Sequence, residues 1–96
     1  MLIQQKQDGS KGSFYVEEDG KRLAEMTYSM TGTDLMIIDH TEVSDELRGK
    51  NVGYQLVHTA VEYARANQMK ILPLCPFANS VFKKKAAEFG DVLRGN

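Results

Sequence analysis

The chain has 96 residues, with 12 Lys or Arg against 13 Asp or Glu, for a formal net charge of −1. The length favours one domain, residues 1–96, and the charge balance argues against a dedicated nucleic-acid binder, which usually presents a basic face. The single cysteine, Cys75, excludes an internal disulfide and fits a reducing compartment. No leader-like segment is evident, and no apolar run approaches the roughly 20 residues that cross a bilayer, so we expect a soluble, cytoplasmic protein.

The N-terminal part of the chain predicts four strands separated by polar turns. The strands are expected at 1–6, 13–18, 21–30 and 35–43. Asp19-Gly20 is a strong two-residue hairpin signal between the second and third strands. Strict alternation along the fourth strand places His40 on the face that also carries Met36, Ile38 and Glu42.

The C-terminal part predicts two helices around one more strand. From Val52 the apolar residues recur with helical spacing, which predicts a helix over 50–67. An apolar segment predicts a strand over 69–74, and a second helix over 77–90 is expected to end at Gly90. The first helix would connect strands 35–43 and 69–74 as a parallel, right-handed β-α-β unit.

The order β-β-β-β-α-β-α predicts an α+β fold of the three-layer α/β type. We expect a mixed, mostly antiparallel sheet of about five strands with two main helices packed on it.

The turn Arg48-Gly49-Lys50-Asn51-Val52-Gly53 stands between the fourth strand and the first helix. A helix N-terminus offers unpaired backbone N–H groups and a partial positive charge, and glycines let an anion approach the backbone closely. Arg48 and Lys50 add positive charge. Residues 48–54 therefore predict an anion-binding cradle, with a plain turn and a packing glycine as the alternative. The spacings of the Walker loop and of the dinucleotide fingerprint are absent.

This turn resembles the signature of the GNAT-type N-acetyltransferases, Q/R-x-x-G-x-G/A, which lies between a strand and a long helix. Arg48 and Gly53 match the signature, and Asn51 replaces its middle glycine. The stretches IDHTEV (38–43) and LCPFA (74–78) extend the resemblance. With the short length, they look like a minimal, YjdJ-like subfamily that lacks the N-terminal helices of larger relatives. The resemblance covers nearly the whole chain and is strongest over 36–82.

The resemblance implies acetyl-CoA as the cofactor and an amine as the acetyl acceptor, either a small molecule or a protein lysine. The CoA pyrophosphate would lie on the backbone N–H groups of 48–54, and the pantetheine arm would follow strand 38–43. The thioester would then lie near 40–43 and Cys75. The cofactor-binding residues so implied are Thr41, Val43, Arg48, Gly49, Lys50, Asn51, Val52, Gly53, Tyr54 and Asn79. For Asn79, capping of its own helix is the alternative.

Acetyl transfer requires removal of a proton from the acceptor, because a lysine-type amine has a pKa near ~10.4. His40 is the first candidate base, since histidine titrates near neutral pH, and Glu42 is the second. Cys75 could accept the acetyl group or protonate the CoA thiolate, because a helix N-terminus follows it and can lower a thiol pKa. The alternatives are a hydrogen-bonded structural role for His40 and simple packing for Cys75.

One departure from the family favours a second hypothesis. Many GNAT enzymes carry a tyrosine, which acts as the general acid, on the helix that follows the strand predicted here over 69–74. This chain has Phe82 at that position. Phenylalanine has no proton to donate, so the alternative function is a CoA- or acetyl-CoA-binding module with weak or no transferase activity.

The lysines at 83–85 either form a solvated face or meet the CoA 3′-phosphate or an acidic partner. We predict no metal site, no nucleic-acid or membrane partner, and a monomer or weak dimer.

Overall fold

The computed structural model describes residues 1–94 and contains one five-stranded sheet with strand order β1-β2-β3-β4-β5. The strands are β1 (Gln4–Asp8), β2 (Lys11–Glu18), β3 (Lys21–Thr31), β4 (Leu35–Val43) and β5 (Lys70–Pro73). The helices are α1 (Val52–Ala66), α2 (Pro76–Lys84) and α3 (Ala86–Phe89). Neighbours from β1 to β4 pair antiparallel, and β5 pairs parallel with β4. The predicted α+β fold with a mixed, mostly antiparallel sheet is confirmed.

The bounds of β4 match the sequence prediction, whereas several other elements differ. β1 begins at Gln4 rather than at the first residue, and α1 begins at Val52 rather than at residue 50. The helix expected over 77–90 is divided, because Lys85 leaves the helical conformation at φ −112°, ψ 32°. The apolar spacing of the sequence does not reveal this break, because the apolar residues on both sides of it still pack in the core. Phe82 and Phe89 are both buried, and their ring centroids lie 6.0 Å apart.

The hairpin between β2 and β3 has the predicted tight turn. Asp19 and Gly20 have φ angles of 53° and 77°. Positive φ at both central residues is typical of the type I′ turn, whose twist matches that of the flanking strands.

A β-bulge in β4 changes which residues share a face. Thr27 pairs with His40, but Tyr28 pairs with Ile38, so Asp39 is the extra residue. Beyond the bulge, Thr41 lies opposite the fully buried Met26, whereas His40 lies opposite the half-buried Thr27. The expectation that His40 shares a face with Met36 and Ile38 is therefore wrong, because the extra residue reverses the alternation.

The hydrophobic core lies between one face of the sheet and the helices. Leu56, Val57 and Val61 of α1 pack in the same buried cluster as Phe14 of β2 and Phe82 of α2. Full burial of side chains of this size stabilises the fold by about 1.5–3 kcal/mol each. Side chains on the opposite, outer face are less covered: Tyr15, Thr27 and Ile37 are half-buried. His40 and Glu42 belong to this outer face.

Tyr28 is fully buried and joins the sheet to its first strand. Its hydroxyl accepts a 2.8 Å hydrogen bond from Gln5 Nε2 and donates a 3.0 Å bond to Gln7 Oε1. Its ring also lies directly over Gly12, where an added Cβ would come within 2.4 Å of the ring.

Within residues 1–94, no helix is long and apolar enough to cross a membrane.

We predict that Gly12→Ala lowers the free energy of unfolding by about 1–3 kcal/mol, because overpacking forces a rigid ring out of its place. Urea unfolding would measure the loss. Ser10→Ala, at an exposed turn position two residues away, is the matched control and should change the stability little. Equal stabilities of the two variants would contradict the close contact with Tyr28.

Candidate active site

The strands β4 and β5 separate before β4 ends. Their pairing runs from Leu35↔Lys70 to Ile38↔Pro73. The amides of the two residues after β5, Leu74 and Cys75, both donate to the carbonyl of Ile38 at 3.1 Å. Pro76 then begins α2 at its first turn, where proline is well tolerated. β4 continues through residues 39–43, so this part of the strand has an open edge on the β5 side.

The backbone of Thr41 and Val43 faces this open edge. In an antiparallel pair, hydrogen-bonded and non-hydrogen-bonded residues alternate. The amide of Ser44 donates to Leu23 at 2.7 Å, so the alternation assigns Glu42 and His40 to the bonds with β3. The N–H and C=O groups of Thr41 and Val43 consequently point the other way, into the gap left by β5.

The turn between β4 and α1 is wound tightly before the helix begins. A single 3₁₀ turn, Asp45–Leu47, is capped by Ser44, whose hydroxyl accepts a 3.3 Å bond from the amide of Glu46. Gly49 then has φ +83° and Asn51 has φ +60°, both in the left-handed region. Asn51 is one of the few residues besides glycine that adopts this conformation readily, which explains how it replaces a glycine here.

The first turn of α1 presents unpaired backbone donors. The amides of Asn51, Val52, Gly53 and Tyr54 have no backbone acceptor within residues 1–94, whereas Gln55 donates to the Asn51 carbonyl at 3.1 Å. The side chain of Asn51 makes no capping bond. Four unsatisfied donors at the positive end of a helix suit a phosphate group.

Two cations accompany these amides. Arg48 pairs with Asp45 at 2.6 Å, but the two side chains are 79% and 87% exposed, so water screens the pair and it holds Arg48 only weakly. Lys50 is exposed beside it. Both cations therefore remain mobile enough to meet an anion at the turn.

Gly53 has a packing role, as the alternative interpretation of the turn allowed, although the sequence did not identify its partner. A Cβ on Gly53 would approach the ring of Phe77 to 2.5 Å. The glycine thus allows the N-termini of α1 and α2 to lie close together, in addition to any role in the cradle. Its contact with Phe77 links residues 24 positions apart, which no local pattern reveals.

The Cys75 thiol lies between the open edge of β4 and the N-terminus of α2. It is 5% exposed, and its Sγ is 3.4 Å from Thr41 Oγ1. Burial acts to raise the pKa of the thiol, but the Thr41 hydroxyl and the backbone amides of Ala78, Phe77 and Thr41 outweigh it and leave the pKa below its ordinary value. The arrangement therefore makes the thiol of Cys75 easier to ionise than that of a free cysteine.

The candidate bases lie on the other side of the same strand. His40 and Glu42 are exposed on the outer face, and Glu42 lies directly opposite Glu25 of β3. Cys75 and Thr41 are on the helix side, so the structure does not bring His40 and Cys75 into contact. The two groups instead flank the open edge from opposite faces.

The remaining predicted residues lie on the helices. The side chain of Asn79 is exposed in the first turn of α2. Its backbone N–H donates to the Cys75 carbonyl at 2.9 Å. Phe82 is 1% exposed and packs edge-on against Phe89, so its position belongs to the core. Tyr54 is half-buried and donates a 2.9 Å hydrogen bond to Glu88. His58 is exposed and stacks on Tyr54.

A strand that parts from its parallel neighbour, followed by a glycine-containing turn with unpaired amides, is the arrangement that the sequence resemblance implies. Residues 13–92 match the model of the family described as GCN5-related N-acetyl-transferase. The chain belongs to this GNAT family. The matches do not distinguish a YjdJ-like subfamily, and that finer assignment stays a prediction.

Solved structures agree with the family. A GCN5-like N-acetyltransferase candidate from Staphylococcus aureus is 38% identical, with a TM-score of 0.71 over 97% of this chain and 89% of that chain. A ribosomal-protein-alanine N-acetyltransferase from Brucella melitensis has a TM-score of 0.67 at 17% identity, over 81% of this chain and 62% of that chain. No curated protein sequence matches the chain.

A more distant structure contains a bound cofactor. The aminoglycoside N-acetyltransferase AAC(6')-Iy, in complex with CoA, has a TM-score of 0.55 at 16% identity, over 91% of this chain and 73% of that chain. At such identities the likeness shows the fold alone.

We predict that Thr41→Val raises the pKa of the Cys75 thiol, because the substitution removes a hydroxyl that stabilises the thiolate. The ultraviolet absorbance of the thiolate, followed against pH, would measure the shift. Thr59→Val is the matched control, since the Thr59 hydroxyl bonds the carbonyl of Gln55 on α1 instead. An unchanged pKa in Thr41→Val would contradict the contact between Thr41 and Cys75.

Proposed function

We propose that this protein is an acetyl-CoA-dependent N-acetyltransferase whose cradle, residues 48–54, holds the CoA pyrophosphate. The observation that carries the proposal is the set of unpaired amides at 51–54, next to the open edge of β4 in a GNAT fold. The acceptor is an amine, on a small molecule or on a protein lysine.

The charge and shape of the turn support pyrophosphate binding. The left-handed backbone at Gly49 and Asn51 turns successive amides toward one side, and Arg48 and Lys50 supply positive charge. A cofactor whose pyrophosphate rests here would extend toward Cys75 along the open edge of β4.

The open edge of β4 supports binding of the pantetheine arm. That arm contains two amide groups, which need hydrogen-bond partners when they leave water. Thr41 and Val43 direct backbone N–H and C=O groups into the gap. These groups can pair with the amides of the pantetheine arm as they would with a neighbouring strand. Asn79, exposed on the facing helix, adds a side-chain amide. The thioester supplied by acetyl-CoA would then lie beside Cys75 and the end of β4.

Cys75 is proposed to carry the acetyl group. Its thiolate attacks the thioester carbonyl carbon, the bond from that carbon to the CoA sulfur breaks, and the CoA thiolate departs. The acceptor amine then attacks the new thioester on Cys75, an amide bond forms, and the Cys75 thiolate is released as the proton of the amine passes to a base. The lowered pKa of Cys75 favours both steps, because the thiol ionises more readily for attack and its thiolate is later a better leaving group.

His40 is the proposed base for the acceptor amine, with Glu42 as the second candidate. His40 lines a pocket of about 620 Å³ on the outer face, together with Asp39 and Leu74. An amine that enters from this face would meet the base before it reaches the thioester at the strand edge.

A CoA-binding module with weak transferase activity is the second candidate function. The observation in its favour is the burial of Phe82 against Phe89, which leaves no proton donor at the position where the family resemblance implies a tyrosine. The two functions share the cofactor site and differ only in amine-dependent release of CoA.

Titration of acetyl-CoA into isotope-labelled protein should shift the amide resonances of Thr41, Val43 and residues 49–54, because these groups receive the cofactor. The amides of β1 serve as an internal control and should not move. The double variant Arg48→Ala, Lys50→Ala should bind roughly tenfold or more weakly, as expected when charge-assisted contacts are lost, and Lys6→Ala on β1 should bind like the unaltered protein. An unshifted cradle at saturating acetyl-CoA would refute the proposed cofactor site.

Cys75→Ser should abolish amine-dependent release of the CoA thiol, because a serine hydroxyl is not ionised near neutral pH. The unaltered protein should show ping-pong kinetics and an acetyl adduct on Cys75 detectable by mass spectrometry. The variant should still show the amide shifts with acetyl-CoA, which separates loss of chemistry from loss of binding. Unchanged acetyl transfer by Cys75→Ser would exclude the cysteine mechanism.

A further inference from the structure

The pocket of about 620 Å³ on the outer face has a polar side that the proposed mechanism does not use. Lys11 and Asp39 both line the pocket, and Ser29 connects them. Lys11 Nζ donates a 2.7 Å hydrogen bond to the Ser29 hydroxyl, which donates a 2.9 Å bond to Asp39 Oδ2. Lys11, Ser29 and Asp39 thus form a charged wall, in which one hydroxyl separates an ammonium from a carboxylate.

The β-bulge in β4 places Asp39 in this pocket. Consecutive residues of a regular strand point to opposite faces, yet Asp39 and His40 line the same pocket. The extra residue in the pairing with β3 accounts for this difference, since a bulge redirects side chains. The Asp39 carboxylate therefore lies on the same face as the proposed base.

The two charges of the wall have no charged partner. Neither Lys11 nor Asp39 forms a salt bridge within residues 1–94. Asp8 stands directly opposite Lys11 on β1, but the Lys11 ammonium bonds Ser29 instead. Asp39 is half-buried, and a carboxylate that has lost part of its water is stabilised by a nearby cation. Unused donors on the ammonium and unused acceptors on the carboxylate suit a ligand that carries both charges.

Leu74 gives the same pocket an apolar side. Its side chain is 61% exposed and lines the pocket, and the residue directly precedes Cys75. An exposed leucine in an otherwise polar pocket gains from contact with a hydrocarbon chain, which removes apolar surface from water. From β2 toward the edge of β4, the pocket offers a pair of opposite charges, then the proposed base, then an apolar surface.

We propose that this pocket selects a free α-amino acid with a second amine on its side chain, rather than a lysine within a protein. The α-carboxylate pairs with Lys11 and the α-ammonium pairs with Asp39, while the methylene chain lies on Leu74 and the side-chain amine reaches the base. A lysine within a protein has neutral amides in place of the two charges, so it leaves the charged wall without partners. The inference rests on the proposed function and chooses between the two kinds of acceptor that the function leaves open.

Amine-dependent release of the CoA thiol from acetyl-CoA, measured with a matched set of acceptors, tests the inference. L-lysine carries both charges, L-lysinamide lacks the carboxylate, and Nα-acetyl-L-lysine lacks the α-ammonium. Nα-acetyl-L-lysine methylamide lacks both, as a lysine within a protein does. The unaltered protein should use L-lysine with a kcat/KM roughly tenfold above that for either singly altered acceptor, because each of these has lost one charge-assisted contact. The methylamide should be poorer still.

Two variants assign the charges to their partners. Lys11→Ala should lower kcat/KM for L-lysine roughly tenfold and should affect L-lysinamide far less, since that acceptor has no carboxylate to lose. Asp39→Asn should likewise affect L-lysine more than Nα-acetyl-L-lysine. Both losses should appear in KM, because the wall binds the acceptor away from the reacting atoms. Lys6→Ala is the matched control and should keep the full preference, since Lys6 is exposed on β1 and does not line the pocket.

The outcomes separate the inference from the proposed function. Equal use of L-lysine and the methylamide by the unaltered protein, or release of CoA only with unrelated amines, would overturn the inference and leave the proposed function intact. Equal losses with every acceptor in Lys11→Ala and Asp39→Asn, in variants that circular dichroism shows to be folded, would also overturn it. If no amine released CoA, the proposed function would fall together with the inference.

Discussion

The early end of the pairing between β4 and β5 is the constraint on which the site depends. Pro73 has no N–H group to donate, and the next two amides converge on a single carbonyl, that of Ile38. Pro76 is the first residue of α2, a position at which proline is favoured. Because β5 leaves the sheet here, β4 keeps an unpaired edge, an arrangement that proteins normally avoid. An extended, amide-bearing ligand can complete an edge of this kind.

The same departure positions the other parts of the site. It places Cys75 at the N-cap of α2, where its sulfur meets Thr41 on the strand that β5 has left. It also brings Phe77 over Gly53, so that α2 packs on the first turn of α1 and the cradle. The turn, the thiol and the open strand are therefore coupled through α2. A substitution in this contact would disturb both the cradle and the surroundings of the thiol.

Local chemistry made part of the structure predictable from the sequence. The Asp19-Gly20 turn and the bounds of β4 follow from turn preferences and from runs of β-forming residues. The left-handed turn before α1 follows from its glycine and asparagine, while anion binding by this turn stays a prediction. The bulge at Asp39 could not be predicted, because residues 39–42 are all polar and show no apolar alternation that an extra residue would interrupt. The bulge changed the face assigned to His40. The contacts of Cys75 with Thr41 and of Phe77 with Gly53 arise from tertiary packing, which sequence spacing does not encode. The sequence could name Cys75 as a candidate, but not its partner.

The surroundings of Cys75 also favour one of its two possible roles over the other. A general acid must hold a proton until the CoA thiolate departs, whereas the neighbours of Cys75 stabilise the form that has already lost it. Hydrogen-bond donors gathered around a sulfur at a helix N-terminus therefore suit a nucleophile better than an acid. With Phe82 buried against Phe89, the family's tyrosine has no counterpart at this position. A lowered thiol pKa would assist the step in which the amine displaces the Cys75 thiolate, because that thiolate is then the leaving group.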